Sequence, residues 1–121
     1  MVRYYSGMAM YMKKIDFKPA ESFSQAWLVI DSIFNIASVK VNGIDCGTIW
    51  TVPCQIDISK ALKEGSNSIM IAVTNTWHNR LILDETLPPS KRVTWTTAPF
   101  RLKDKPLLPA GITGAVKIIV Q

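Results

Sequence analysis

The feature that most constrains this chain is the alternation of apolar and polar side chains in several short runs. The first run, MAMYMKKIDF at positions 8–17, puts one set of side chains on one face of an extended chain: Ala9, Tyr11, Lys13, Ile15 and Phe17. A period of two residues is typical of a β-strand, because successive side chains of a strand point to opposite faces. An apolar period of 3.6 residues nowhere persists beyond about two turns, so any helix is expected to be short.

A tight hairpin is the next clear signal. Asn42 and Gly43 lie between two strand-like runs, residues 38–41 and 44–50. Both central residues of a type I′ turn need positive φ angles, which Asn and Gly adopt with little strain. The sequence therefore predicts an antiparallel pair of strands joined at Asn42-Gly43.

Further strands are predicted at 26–30 (AWLVI), 54–58 (CQIDI), 68–74 (SIMIAVT) and 115–120. No crossover helices separate them, which excludes a parallel α/β sheet. Many short strands with turn signals between them indicate an all-β, antiparallel sandwich or barrel. A chain of 121 residues predicts a single domain over residues 1–121, and we expect strands 26–30 and 69–73 to lie in its core.

The segment 76–112 breaks the strand pattern. It holds five of the seven prolines, which argue against regular strands there. Its many large apolar side chains argue equally against a loop that floats in solvent. We therefore expect a long irregular loop at about 76–112 that lies across the sheets and seals one open edge or end.

The charge pattern and the apolar runs exclude two classes of partner. Fourteen Lys and Arg residues against nine Asp and Glu give a formal net charge of +5. These cations are dispersed, without a basic block or a zinc-finger or RNP-type motif, so we expect no nucleic-acid partner. No apolar run reaches the ~20 residues that span a bilayer, so no membrane partner is expected either. The N-terminus lacks a signal-peptide pattern, which leaves a removed signal or a piece of a longer chain as alternatives.

Four stretches of the chain resemble a known family. They are RYYSG at 3–7, VNG at 41–43 with Gly47 and Trp50 after it, the DIS…L..G.N pattern at 57–67, and NTWHNRL at 75–81 with LLPAG at 107–111. Together they cover nearly the whole chain. They resemble the galactose-binding-like jelly-roll domains of large bacterial glycoside hydrolases. The C-terminal β-sandwich of α-L-rhamnosidases is the more similar, and the sugar-binding domain of family-two β-galactosidases is related. Cys46, Cys54 and Leu83 depart from the family pattern.

The resemblance implies a jelly-roll topology and a place in a larger enzyme. In such enzymes hydrolysis occurs in a separate (β/α) barrel, which needs about 250 residues and cannot fit in this chain. The implied function is a non-catalytic accessory domain that supports the catalytic barrel, contacts plant polysaccharide or oligosaccharide weakly, or does both. The implied parent is periplasmic or secreted. A free-standing carbohydrate-binding module is the alternative, and a glycosidase in its own right is a distant third.

Catalytic residues, metals and cofactors are not expected in this chain. Glycoside hydrolysis needs two carboxyl groups across a cleft, whereas Asp84 and Glu85 are sequence neighbours whose side chains point apart in an extended segment. The single histidine, His78, has no nucleophile motif beside it. The acidic residues are too sparse for a hard cation. Cys46 and Cys54 have no metal-ligand spacing, and two half-buried thiols are favoured over a bridge between them.

Seven residues are candidates for contact with carbohydrate or with a neighbouring domain. An exposed Trp can cover the apolar face of a pyranose while amide, carboxylate and guanidinium groups bond its hydroxyls. The structural alternative is that the same side chains anchor the long loop and satisfy its backbone. Interdomain docking fits the composition equally well, since interfaces favour Trp and Arg. The seven residues are Trp50, Asn75, Trp77, Asn79, Arg80, Asp84 and Trp95.

Overall fold

The architecture comes from a computed structural model, which describes residues 6–19, 21–76, 78–94 and 106–121. The strands in these residues form two antiparallel sheets, one in the order β1-β6-β3-β4 and the other in the order β5-β2-β7. The all-β, two-sheet sandwich predicted from the alternation is therefore confirmed. The elements are β1 (Met8–Phe17), β2 (Ala26–Phe34), β3 (Ile36–Val41), β4 (Ile44–Ile49), β5 (Gln55–Asp57), β6 (Gly65–Thr74), α1 (His78–Thr86), a 3-10 turn at Pro89–Lys91, and β7 (Gly111–Val120).

Long antiparallel ladders hold the four-stranded sheet. β1 and β6 pair over all ten of their residues, from Met8 opposite Thr74 to Phe17 opposite Gly65. β3 and β4 form a hairpin in which Asn42 has a φ of 54° and Gly43 a φ of 78°. Both values lie in the left-handed region that a type I′ turn requires, so the predicted hairpin is confirmed.

The hydrophobic core lies between the two sheets. Leu28 and Ile30 face it from β2, and Val39, Val41 and Val73 face it from the four-stranded sheet. Each of these side chains is at most 2% exposed. Full burial of such a side chain contributes about 1.5–3 kcal/mol relative to leaving it in water. The two strands predicted for the core do lie there.

A buried asparagine ties the hairpin to the turn before β6. Asn67 is 1% exposed, and its amide donates to the carbonyls of Lys63 and Gly65. Its side-chain oxygen accepts from Lys63 N and from Asn42 Nδ2, and Asn42 Nδ2 also donates to Ala61 O at 2.8 Å. The whole hydrogen-bonding capacity of the Asn67 side chain is used, which offsets the cost of burying a polar group.

The segment 76–112 differs from the irregular loop that the sequence predicted. It contains helix α1 and the 3-10 turn, and β7 begins within it, at Gly111 rather than at residue 115. Nine residues form about two and a half turns, which is too short for an apolar period to show in the sequence. The helix is instead supported by Arg80 and Asp84, which pair across one turn. The early start of β7 comes from its pairing with the end of β2, a long-range contact.

Candidate functional site

The sheet register places two of the candidate residues at one end of the four-stranded sheet. Trp50 directly follows Ile49, the last residue of β4. Ile49 pairs with Ala37 of β3, and Ala37 pairs in turn with Val73 of β6. Asn75 directly follows the end of β6. Trp50 and Asn75 therefore leave the sheet at the same end, two strands apart. Helix α1 begins three residues after Asn75 and carries three more of the candidates.

Asn75 closes the ladder between β1 and β6. Its Oδ1 accepts a hydrogen bond from Gly7 N at 2.8 Å, and its own backbone N–H donates to Gly7 O at 3.1 Å. Gly7 immediately precedes β1, so this reciprocal contact fixes the ends of both strands. The Asn75 side chain thus contributes directly to the fold.

Asn79 holds the segment before β7 against helix α1. Its Nδ2 donates to Leu108 O at 2.8 Å, and its Oδ1 accepts from Leu108 N at 2.7 Å. The residue is 4% exposed. The first residue of the helix adds a further contact, since His78 Nε2 lies 3.3 Å from Pro106 O. Residues 78–94 together with 106–110 are called the anchored segment below.

Asp84 holds the other part of the anchored segment. Its side chain is 4% exposed, and Arg80 Nη2 lies 2.9 Å from its Oδ1. Its Oδ2 accepts from Thr94 N at 2.7 Å, from Val93 N at 3.2 Å and from the Thr94 hydroxyl. Burial on its own would raise the pKa of Asp84, but the hydrogen bonds from Thr94 and the Arg80 charge outweigh it and hold that pKa below its usual range.

A cavity of about 280 Å³ opens where the anchored segment meets the end of the sheet. Its lining is mainly apolar, with the Tyr11 side chain and the amides of Asn75 and Asn79 as its polar groups. Gly111 closes one side, and a Cβ added there would lie 2.5 Å from the Tyr11 hydroxyl. Sequence patterns placed Tyr11 on one face of a strand. They could not show which distant segments lie next to it, so Tyr11 was not among the candidates. The Asn79 amide already forms two hydrogen bonds with the Leu108 backbone, so few polar groups of the cavity lining remain to bind a ligand.

In the described residues, the polar side chains of this arrangement hold backbone, and Asp84 is not placed to act as a general acid or base. A general acid or base must exchange a proton with the substrate, and hence reach it. Asp84 is buried, accepts three hydrogen bonds at Oδ2 and faces Arg80 with Oδ1. Its lowered pKa keeps it ionised at neutral pH, which removes it as a general acid.

Trp50 stands apart from this anchored cluster. It is 73% exposed, on the loop between β4 and β5, and Val52 beside it is 85% exposed. The alternative that Trp50 belongs to the core is therefore wrong, because most of its surface is exposed. Trp77 and Trp95 lie outside the described residues.

The two cysteines are unbonded and half-buried, as favoured from the sequence. Burial raises the pKa of the Cys46 thiol, and the carboxylates of Asp45 and Asp57 act in the same direction. Within the described ranges, no three His, Cys, Asp or Glu side chains gather closely enough to hold a metal ion. In the same part of the chain, the single α-helix lacks the length and apolar character needed to cross a bilayer.

The sandwich with its anchored segment defines a class, the galactose-binding-like β-sandwich domains. The chain belongs to the family described as glycosyl hydrolase 2 galactose-binding domain-like, whose model matches residues 4–105. The similarity to the sandwich of rhamnosidases that the sequence motifs suggested is confirmed.

Similar proteins are much longer than this chain. A rhamnosidase from Novosphingobium sp. PP1Y is 38% identical and superposes with a TM-score of 0.88, over 99% of this chain and 11% of its own. A Formosa agariphila protein, provisionally named a β-glucuronidase, is 33% identical over 98% of this chain and 12% of its own length. A Ruminococcus gnavus β-glucuronidase is 25% identical, with a TM-score of 0.54, over 60% of this chain and 13% of its own. The matched part is thus a small fraction of each relative.

Proposed function

We propose that this chain is a non-catalytic accessory domain that supports the catalytic domain of a bacterial glycoside hydrolase. The observation that carries the proposal is the reciprocal hydrogen bonding between Asn79 and Leu108. Side chains of the kind that would recognise a substrate are used instead to hold the domain's own backbone, and Asp84 is used in the same way on Thr94. A domain built like this supplies a fixed shape, which is what a supporting module needs.

The lengths of the relatives favour the same function. The matched segment is 11% of the Novosphingobium rhamnosidase, so most of that enzyme lies outside it. A catalytic barrel needs about 250 residues, roughly twice the 121 residues of this chain. Catalysis would therefore take place elsewhere in a protein that contains this domain.

Two measurements test the proposal. The purified chain should release no p-nitrophenol above the blank from aryl α-L-rhamnosides, β-D-glucuronides or β-D-galactosides, and release by the chain alone would contradict a non-catalytic role. Deleting the matching segment from the Novosphingobium rhamnosidase should lower its melting temperature and soluble yield, and this chain in its place should restore both. A host enzyme that is unaffected by the deletion would contradict the supporting role.

Weak carbohydrate contact is a second candidate function, and one observation favours it. Trp50 is 73% exposed at a strand end, where its ring could cover the apolar face of a pyranose. Titration with rhamnose, galactose or galacturonides should then change the tryptophan fluorescence saturably, and Trp50→Ala should abolish the change. A Trp27→Phe variant, altered at a half-buried ring in β2, is the control and should keep the response. Flat titrations up to about 50 mM sugar would leave only the supporting function.

A further inference from the structure

The outward face of the four-stranded sheet carries several apolar side chains that lie outside the core between the sheets. Met8, Met10 and Met12 alternate along β1 with residues that face the other sheet, and Met12 lies directly opposite Met70 of β6. Ile36 of β3 lies in the same cross-strand row as Met8, since both pair with Thr74. The five residues Met8, Met10, Met12, Met70 and Ile36 are called the methionine face.

The methionine face is widely exposed. Met8, Met10 and Met12 are 55%, 59% and 71% exposed, and Ile36 is 49% exposed. All four methionines that the structure describes belong to it. The neighbouring outward side chains on β3 and β6 are small, namely Ser38, Ala72 and Thr74. An outward sheet face in water is normally polar, and a contiguous apolar one marks an interaction site.

The chemistry of this surface suits a protein partner better than a carbohydrate. Trp50 extends the methionine face at the end of the sheet, next to the row of Ile36. Trp and Met are enriched in protein–protein interfaces, and flexible thioether chains adapt to an opposing surface. A sugar site would need hydrogen-bonding groups around the Trp50 ring. The nearest outward positions of the sheet are Ile36, Ser38, Thr48 and Thr74, and the polar groups that their side chains offer are hydroxyls only.

We propose that the methionine face, together with Trp50, is the surface through which this domain docks onto the rest of its parent glycoside hydrolase. This inference rests on the supporting function proposed above. It commits to one occupant, a folded neighbouring domain whose contact surface has an apolar centre and acidic residues at one side.

Two observations select that occupant. In the similar enzymes the matched segment is only 11–13% of the chain, so a much larger body of protein is available to cover an apolar face. The charged side chains next to the methionines are cationic: Lys14 follows Met12 on the same side of β1, and Lys40 lies opposite Met70. The carboxylates of Asp16 and Asp45 lie one position further from the methionines, and Asp16 is paired with Lys18. Acidic groups on a partner would complement these lysines and fix its orientation.

The test uses a chimaera in which this chain replaces the matching segment of the Novosphingobium rhamnosidase. Met10→Lys puts a charge in the middle of the methionine face, at a position that is 59% exposed. Ile119→Lys is the matched control, 47% exposed on the outward face of the other sheet. Met10→Lys should lower the melting temperature of the chimaera by about 5 °C and Ile119→Lys by no more than about 1 °C. Neither variant should change the melting temperature of the free chain, because both positions are exposed in it.

Thioether oxidation gives a second, direct readout. Peroxide treatment followed by mass spectrometry should oxidise the exposed Met8, Met10 and Met12 readily in the free chain, and at least about fivefold more slowly in the chimaera. Equal oxidation rates, or equal melting temperatures of the two lysine chimaeras, would overturn the docking surface. The supporting function would still stand in that case, provided that deletion of the segment destabilises the host.

Two further outcomes also bear on the proposal, namely dimerisation of the free chain and an insoluble chimaera. A free chain that sediments as a dimer, and becomes monomeric on Met10→Lys, would assign the methionine face to a second copy and overturn the proposal. If the chimaera is insoluble, the host enzyme without the segment is mixed with the wild-type, Met10→Lys and Ile119→Lys chains. Weaker binding of the Met10→Lys chain alone supports the proposal, and equal binding of all three chains overturns it.

Discussion

The two sheets, β1-β6-β3-β4 and β5-β2-β7, are called the strand body below. The strand body and the anchored segment of this domain are held in different ways. In the strand body, continuous backbone ladders join the strands, and residues such as Leu28 and Val39 fill the space between two sheets. In the anchored segment, single side chains bind backbone: Asn79 binds Leu108, and Asp84 binds Thr94. The strand body therefore shares its stability among many contacts, whereas the anchored segment depends on a few.

This difference teaches where changes will act. Loss of a core side chain removes contacts with both sheets, so it should destabilise the whole domain cooperatively. Loss of one anchoring side chain should release a local part of the chain and leave the rest protected, because local and global opening have separate free energies. The predictions below test this contrast.

The largest effect is expected in the strand body. Leu28→Ala should lower the free energy of unfolding by about 3 kcal/mol, because Leu28 is fully buried and its removal leaves a cavity between the sheets. Urea unfolding monitored by tryptophan fluorescence measures this loss. Ile119→Ala, at an exposed position of the same sheet, is the control and should change stability by less than about 0.5 kcal/mol. Similar losses for the two variants would show that the space between the sheets is not the main source of stability.

A smaller and more local effect is expected in the anchored segment. Asn79→Ala removes both bonds to Leu108 and should make local opening easier by about 2 kcal/mol. Hydrogen exchange should then accelerate at the Leu108 amide. The amide of Ile30, which donates to Cys54 O inside the strand body, should keep its protection. Asn35→Ala, at an exposed asparagine, is the control, and faster exchange at Ile30 in the Asn79 variant would contradict the separation of the two regions.

The same contrast explains what the sequence could predict. The hairpin at Asn42-Gly43 and the core strands follow from local rules, namely turn geometry and a period of two residues. The bond between Asn79 and Leu108 joins residues 29 positions apart in the chain, in a segment without any period. Residue type alone could mark Asn79, Arg80 and Asp84 as candidates. Only the fold shows that Asn79 and Asp84 bind backbone and that Arg80 pairs with Asp84. Exposure of Trp50 likewise depends on where β4 ends, which no pattern near Trp50 fixes.

The smallest effect, and the one with a characteristic pH dependence, is expected at Asp84. Asp84→Asn keeps the shape of the side chain and one acceptor oxygen, but it loses the charge that faces Arg80 and binds Thr94. The cost at pH 7 should be about 1 kcal/mol, because the Arg80 side chain is 25% exposed and its charge stays partly hydrated without its partner. Denaturant unfolding of wild type and variant at several pH values measures the difference.

The sign of the pH dependence follows from the lowered pKa of Asp84 in the folded state. An unfolded Asp titrates at a pKa of about 3.9, so the folded protein binds fewer protons there than the unfolded chain does. The stabilising contribution of Asp84 is thus fully present above about pH 5 and is lost as the pH falls through the folded-state pKa. The difference between wild type and Asp84→Asn should accordingly shrink below about pH 4. Asp16→Asn is the control, since the Asp16–Lys18 pair is exposed and contributes little to stability. A difference between wild type and Asp84→Asn that stays constant down to about pH 3 would mean that the Asp84 charge does not hold the anchored segment.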